Sequence, residues 1–402
     1  MPRLEANDMK AEWKTVRLAD VAELNPRLAE RLEPKETVSF VPMSAVSAET
    51  AGITAEQSCT YSEVEKGYTP FKSGDVLIAK ITPCFENGKI IQARLSHRAG
   101  FGSTEFHIVR PCTVKLNGRY ILHFLRQDRI RRAGEQRMTG SGGQRRVPSA
   151  FLAELCLPLP PLPEQRRIAD VLDRAESLRA KRRAALAELD SLTQSLFVDA
   201  FGDPLVNPKN LKTVKLGSLC VRVTDGTHQP PKWSAEGHPF LFVSNIVSGE
   251  ITFDTEKFIS DETHAELTRR CPIELGDVLY STVGSYGVPA IVRSARKFSF
   301  QRHIAHLKPD RSLIDSDFLA AMLASPPLKR QADRAAKGVA QKTVNLSEIR
   351  EFIVFQPPMP LQREFAKRVA AVEKLKAAQR ASLAELDELF ASLQHRAFRG
   401  EL

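Results

Sequence analysis

Two short loops carry the residues best suited to binding chemistry. They are Gly140-Ser141-Gly142-Gly143-Gln144-Arg145-Arg146 and Gly338-Val339-Ala340-Gln341-Lys342-Thr343. Glycine lets a backbone approach a phosphate closely, and Arg or Lys neutralises it. Gln144 and Gln341 have the two-pronged amide that matches adenine, and Arg145 and Arg146 the fork that matches guanine. Each loop sits in a basic run. Arg119 to Arg146 holds eight arginines against Asp128 and Glu135, and Lys329 to Arg350 holds six cations against Asp333 and Glu348. One such run reads as a solvated helix face. Two at equivalent places favour contact with a polyanion, and DNA is the natural one. The whole chain agrees: 58 Lys and Arg against 48 Asp and Glu leave a net charge of +10.

Signatures of catalysis are missing. Gly88-Lys89-Ile90 fails the phosphate-binding G-x-x-x-x-G-K-[ST] pattern at its last position, and there is no H-E-x-x-H. The Gly140 loop follows a basic helix-like stretch, so it is no dinucleotide fingerprint. Asn25-Pro26-Arg27 and Asn207-Pro208-Lys209 lack the second proline and the aromatic of a base-methylating motif. No pair of carboxylates with a lysine marks a nuclease, and the nine histidines are scattered. The chain reads as a binder, without metal or cofactor of its own. The first ten residues are charged and form no secretory signal, and no apolar stretch approaches the ~20 residues that span a bilayer. The six cysteines lie far apart, as reduced thiols of the cell interior do.

The elements that position these loops are duplicated. Pro160-Pro161-Leu162-Pro163-Glu164-Gln165-Arg166 recurs 197 residues on as Pro357-Pro358-Met359-Pro360-Leu361-Gln362-Arg363. At that offset Leu186-Ala187-Glu188-Leu189-Asp190 recurs unchanged as Leu383-Ala384-Glu385-Leu386-Asp387. Thr15-Val16-Arg17-Leu18 echoes in Thr213-Val214-Lys215-Leu216, and Gly74-Asp75-Val76-Leu77 in Gly276-Asp277-Val278-Leu279. The order is the same in both halves, so a whole unit is repeated: a globular part, then a proline-launched helix.

Each helix lacks internal Gly and Pro for about 36 residues, or roughly 54 Å. Ile168, Val171, Ala175, Leu178, Arg182, Ala185, Leu189, Leu192 and Leu196 step by threes and fours as a heptad seam. The second seam runs through Phe365, Arg368, Val372, Leu375, Gln379, Ser382, Leu386, Leu389 and Leu393. Connectivity favours an antiparallel pair over helices that fold back on their own domains. Arg182 and Gln379, equivalent and mid-helix, are then expected to face each other and pin the register. Their plainer role is a solvated edge. In the globular parts, alternating runs at 38–41, 75–80, 104–109, 240–243, 277–280 and 303–307 read as strands. Helices are expected over 116–136 and 317–336. The fold class is α+β, in two pseudo-repeated domains joined by two long antiparallel coiled-coil helices. The expected boundaries are 1–160, 161–201, 202–358 and 359–402.

This pattern resembles the specificity subunit of type I restriction-modification systems. Its carriers are the two proline-Gln-Arg segments, the two Gly-Asp-Val-Leu segments, Phe101-Gly102-Ser103-Thr104-Glu105-Phe106, and the glycine-rich run before Val147. The second copy departs at Leu361, which replaces Glu164, and in its shorter loop. The resemblance implies a non-catalytic subunit whose two domains are target recognition domains, each reading half of a bipartite double-stranded DNA site. The helices would set the spacing and dock two methylation subunits. Motor-nuclease restriction subunits would join through the complex in a bacterial or archaeal cytoplasm. S-adenosylmethionine, ATP and Mg2+ would belong to those partners, with no membrane involved. Candidate DNA-binding residues, on or beside loops the family repeats, are Lys80, Thr82, Ser103, Gln144, Arg145 and Arg146 in half one. In half two they are Ser281, Thr282, Gln301, Arg302, Gln341 and Lys342. Two rival readings are a DNA-binding scaffold or regulator outside restriction, and a degenerate methyltransferase or nuclease.

Overall fold

A computed structural model describes residues 13–28, 31–141, 143–338 and 341–402. Gly142, Val339, Ala340 and the charged first ten residues lie outside them. The chain divides into two units: residues 1–184 with 381–402, and residues 185–380. Each therefore holds a globular part and a stretch of each long helix.

In the first unit, one antiparallel sheet orders Ala22–Leu24, Phe106–Pro111, Val76–Ala79 and Ile90–Gln92. A second orders Gln57–Thr60, Thr37–Val41, Gly100–Gly102 and Thr69–Phe71, with Thr37–Val41 parallel to Gly100–Gly102. Val76, Leu77, Ile78 and Ala79 are buried on both faces, so this strand reads as an unbroken apolar run. The second unit repeats the plan. Its sheets order Cys220–Asp225, Ile304–Pro309, Val278–Ser281 and Pro289–Ile291, and Phe258–Ile259, His238–Leu241 and Ser299–Phe300. In each unit a short antiparallel pair brings the segment before the long helix back to the start of the domain. Lys14–Arg17 pairs with Cys156–Leu159, and Thr213–Lys215 with Ile353–Phe355.

The single helices expected over 116–136 and 317–336 are each two. Gly118–Leu125 ends where Gln127 takes an extended conformation and opens Asp128–Gln136. Ser316–Ala324 ends at the extended Ser325, and Pro326 starts Pro326–Ala335. Proline fits a first helical turn but cannot donate within one, so the second break was written in the sequence.

The long helices are Leu162–Phe201 and Met359–Ala397, each close to 60 Å at 1.5 Å per residue. In the first unit they pack antiparallel. Arg179 meets Asp387, while nearer the start of the first helix Arg167 reaches the carbonyl of Leu402. In the second unit Asp190 meets Lys376 and Phe197 packs on Phe365. The expected seam is covered only in part: Ala175 and Val372 are buried, and Leu189, Leu196, Leu386 and Leu393 half-buried. Leu178, Leu192, Leu375 and Leu389 are exposed. Each helix turns its opening residues into the domain it leaves: Ile168 and Leu172 join one core, and Phe365 the other. Because 3.6 residues per turn drifts against a 3.5 repeat, that anchoring carries Leu178 out of line.

Candidate nucleic-acid interface

The two proline-marked segments act as locks. Gln165 is fully buried. Its Oε1 accepts from the Asn117 amide at 2.8 Å, and its Nε2 donates to the carbonyls of Lys115 at 2.9 Å and Pro160 at 2.8 Å. Gln362 does the same with the Asp315 amide at 2.9 Å and the carbonyls of Leu313 at 3.1 Å and Pro357 at 2.7 Å. Each glutamine ties the first turn of a long helix to its recognition-side domain. The aspartates of Gly-Asp-Val-Leu are locks too. Asp75 binds Arg110 through both carboxylate oxygens, and Asp277 binds His306.

These locks carry the candidate loops. In the first unit Thr139 and Arg146 exchange both backbone hydrogen bonds, closing a tight loop. Gly140 there has φ of 127°, and a Cβ would sit 2.6 Å from the Gln144 carbonyl, so only glycine fits. The second loop closes between Lys337 and Thr343, one residue shorter. Gly338 has φ of 112°, and its Cβ would meet the Gln341 carbonyl at 2.4 Å.

The closed loop is stitched to the strand ends. The Thr82 amide donates to the Arg145 carbonyl, the Val147 amide to the Lys80 carbonyl, and the Lys80 amide to the Glu105 carbonyl. Arg146 forms a fork on Glu105 with N···O distances of 2.7–3.1 Å, and Arg145 lies 3.6 Å from Glu86. Hydrogen bonding from Arg146 outweighs burial and holds the Glu105 carboxyl below its usual range. The Ser103 hydroxyl accepts from the Glu105 amide at 3.1 Å. Lys80, Thr82, Ser103, Gln144, Arg145 and Arg146 thus form one cluster, with Gln144 and Arg145 exposed.

The second unit builds the same frame with other residues. Thr282 donates to the His303 carbonyl, Val344 to the Thr282 carbonyl, and Gly284 to the Lys342 carbonyl. The counterparts of Lys80 and Thr82 are therefore Thr282 and Gly284. Of the expected DNA-binding residues, Ser281 and Thr282 are both buried, and the Ser281 hydroxyl donates to the Ser285 carbonyl and accepts from the Val288 amide. The Ser281 side chain thus braces the loop backbone. Gln301 is half-buried with its amide 3.0 Å from His303 Nδ1, while Arg302, Gln341 and Lys342 are exposed.

The basic run of the first unit also divides. Arg119 grips Asp173 on the long helix, where His123 joins it, and Arg131 pairs with Asp128 and the Glu86 carbonyl. Burial pushes the Arg126 guanidinium pKa down. These cations hold the domain together, and Arg132, Arg137 and Arg145 are left exposed. In the second run Arg330 pairs with Asp203 and Lys337 with Glu348, leaving Arg334 and Lys342 exposed.

Along the helix pair, sequence reasoning missed an ionic device present twice. In the first unit Arg179 binds Asp387 at 2.6 Å and Glu176 at 2.9 Å. In the second, Lys376 binds Asp190 at 2.7 Å and Glu373 at 2.7 Å. Arg179 and Lys376, Glu176 and Glu373, and Asp190 and Asp387 are equivalents at the 197-residue offset, which was the available signal. Lys376 is only 9% exposed; burial lowers its pKa, but the two carboxylates raise it more. Arg182 and Gln379, expected to pin register, are half-buried, one in each unit, and both are engaged in interactions.

Residues 10–188 match the family described as type I restriction modification DNA specificity domain. The specificity subunit of the type I restriction enzyme EcoEI from Escherichia coli is 41% identical over 157 residues, 39% of this chain. The EcoAI subunit is 40% identical over the same length. The matched stretch spans 26% of the length of each of those relatives. The EcoKI specificity subunit of Escherichia coli strain K12 is 24% identical over 78% of this chain and 72% of its own. In fold, the chain is similar to the type I restriction-modification S subunit from M. genitalium, with TM-score 0.53 and 15% identity over 98% of both chains. It is also similar, at TM-score 0.57 and 21% identity, to a chain solved in work on assembly and conformational transition of the type I R-M system, over 98% of this chain and 99% of that one. These likenesses show a type I restriction modification DNA specificity domain over residues 10–188, less than half of the chain, and for the chain as a whole the fold of type I restriction-modification S subunits. Among the described residues no helix is long and apolar enough to cross a membrane, and no cluster of potential metal ligands occurs.

Proposed function

We propose that this chain is the sequence-reading subunit of a type I restriction-modification complex. Each globular domain reads one half of a bipartite double-stranded DNA site in the cell interior. The long helices set the number of base pairs between the halves and dock two methylation subunits, and the motor-nuclease subunits join through the complex. Adenine methylation with S-adenosylmethionine, and ATP- and Mg2+-dependent cleavage, are assigned to those partners; this chain binds and does not catalyse. The observation that carries the proposal is the loop cluster built twice on one backbone frame. Each copy has a closed loop whose exposed Gln and cation, Gln144 with Arg145 and Gln341 with Lys342, stand beside strand ends. Gln and Arg are base-reading groups, and Lys or Arg contacts to phosphate fix position without sequence information.

Mapping methylated adenines in the host genome, with the chain present and deleted, is the test. A bipartite motif that vanishes on deletion and returns on complementation supports the proposal. Unchanged methylation, or purification of the chain without a methylation subunit, overturns it in favour of a free-standing DNA-binding regulator.

A further inference from the structure

The second unit contains a cysteine, a histidine and an aspartate in a line. Cys271 Sγ lies 3.5 Å from His306 Nδ1, and His306 Nε2 lies 2.7 Å from Asp277 Oδ2. His306 and Asp277 are each 1% exposed, whereas Cys271 is partly open to solvent. The carboxylate also accepts from the Glu274 amide at 2.9 Å, and Lys308 stands 3.6 Å away, itself paired with Glu274 at 3.0 Å. Phe300 packs edge-on against the imidazole at 6.0 Å. The ring is therefore fixed in plane and orientation by groups on three segments.

We propose that Cys271 is a nucleophilic thiol, activated by His306 and oriented through Asp277, and that it is a modification site for small electrophiles, hydroperoxides among them. Burial alone lowers the pKa of His306, but the hydrogen bonds to Asp277 and Cys271 prevail and raise it to about 9. At neutral pH the ring is thus an imidazolium that donates from both nitrogens: Nε2–H to the carboxylate and Nδ1–H to the sulfur. A cation aimed at sulfur stabilises the negative charge it carries as a nucleophile. With a hydroperoxide the sulfur attacks one peroxide oxygen. An S–O bond forms as the O–O bond breaks, sulfur loses two electrons to the peroxide, and the departing oxygen takes a proton from the imidazolium, which solvent then restores. The products are a sulfenic acid and water or an alcohol.

The arrangement belongs to one unit only. Where the second unit has Lys308 and His306, the first has Arg110, paired with Asp75, and Ile108. The Gly-Asp-Val-Leu register puts Thr69 at the place of Cys271. The residues exchanged are the two that make a reactive thiol, while the aspartate stays. Oxidation would add an oxygen to the sulfur that faces His306, next to the pairing of Val278–Ser281 with Ile304–Pro309, and so would act on one domain and not the other.

The test uses the intact chain at pH 7 with limiting iodoacetamide, followed by peptide mass spectrometry. Cys112 and Cys156 are exposed and serve as internal standards. On access alone, Cys271 reacts more slowly than both. The proposal expects it to react at least tenfold faster than either, and to be the thiol trapped as a sulfenic acid when hydrogen peroxide replaces iodoacetamide. His306→Gln should cut the Cys271 rate at least tenfold and leave Cys112 and Cys156 unchanged, with the fluorescence of Trp233, packed on Phe240 in the same unit, reporting that the fold survives. A wild-type Cys271 rate at or below those of the standards overturns the proposal, whatever the variant does. So does a Cys271 rate undiminished in a folded His306→Gln.

Discussion

Replacing Gln165 with Ala tests whether the proline-marked motif is a lock or a recognition element. Three backbone groups lose their partner at once: the Asn117 amide and the carbonyls of Lys115 and Pro160. Leaving a buried polar group unsatisfied costs about 1–3 kcal/mol. Even at the lower end, three of them cost about 3 kcal/mol. That is more than a hundredfold in the folding equilibrium, at one decade per ~1.4 kcal/mol. Two tryptophans allow the loss to be assigned to a unit. Trp13 packs against the first core, and Trp233 lies in the second unit against Phe240. Urea unfolding of Gln165→Ala in a Trp233→Phe background should show the Trp13 transition shifted by this amount. The Trp233 signal, followed with Trp13→Phe, should hardly move. Gln362→Ala should reverse the pattern. Gln165→Glu should be worse than Ala at pH 7, because a carboxylate would face two carbonyls. Its folded pKa would be raised, so the penalty is absent below the unfolded value near pH 4.3 and grows as pH rises. A loss under about 0.5 kcal/mol for Gln165→Ala, the size of an ordinary surface change, refutes the lock.

Asp173 is held well below the usual carboxylate range; burial opposes this, but bonds from His123 and Arg119 prevail. A depressed folded pKa stabilises above the unfolded value and is lost as pH falls, so the first unit should weaken below about pH 4. Asp173→Asn should flatten that acid limb in a pH-dependent melting series. On DNA, Arg145→Ala should lower affinity, with a salt slope shallower by about one if it contacts phosphate, or with one target position relaxed if it reads a base; titrations at several salt concentrations separate the two. Exchanging charges in Lys376→Glu with Asp190→Lys should recover most of the stability lost by Lys376→Glu alone, as a double-mutant cycle would measure. Adding residues after Leu189 should lengthen the spacer found by methylation mapping and leave both half-site sequences alone.

The repeat made the architecture legible, because a duplicated pattern fixes equivalence without any contact being known. Strands with alternating or continuous apolar character were legible for the same local reason. The helix seam was not. Period alone put Leu178 and Leu192 inside, but the anchoring of Ile168, Leu172 and Phe365 in the domain cores rotates the helices, and the middle of the pair is ionic. Charge runs were misread in part because composition cannot tell Arg119, turned inward to Asp173, from Arg145, turned outward. The burial of Ser281 and Thr282 was not legible for a similar reason. Small hydroxyls at a strand end are as suited to satisfying a loop backbone as to meeting DNA. The Cys271–His306–Asp277 line had no sequence signal at all, since its members are brought together by strand pairing.

What repeats and what diverges between the units follows a physical division. The groups that hold the frame recur: Gln165 and Gln362, Asp75 and Asp277, and the glycines that close the two loops. The groups presented on the frame do not. Lys80, Thr82, Glu105 and Arg146 in the first unit stand where the second has Thr282, Gly284, His303 and Thr343. The first cluster carries its own carboxylates, Glu86 and Glu105, which hold Arg145 and Arg146 in place before any ligand arrives. If the proposed function holds, binding DNA there would exchange those ion pairs for contacts to phosphate or base, and the first domain would give up attraction for orientation. The second cluster has a histidine and a threonine at the places of Glu105 and Arg146, and the nearby carboxylate that feels its Lys342 is Asp333. Under the proposed function, two domains with one frame and different electrostatics are expected to answer to different half-sites. Glu105→Gln should therefore change the first half of the target and its salt dependence without touching the second, and a methylation map in which both halves shift together would show that the domains do not read independently.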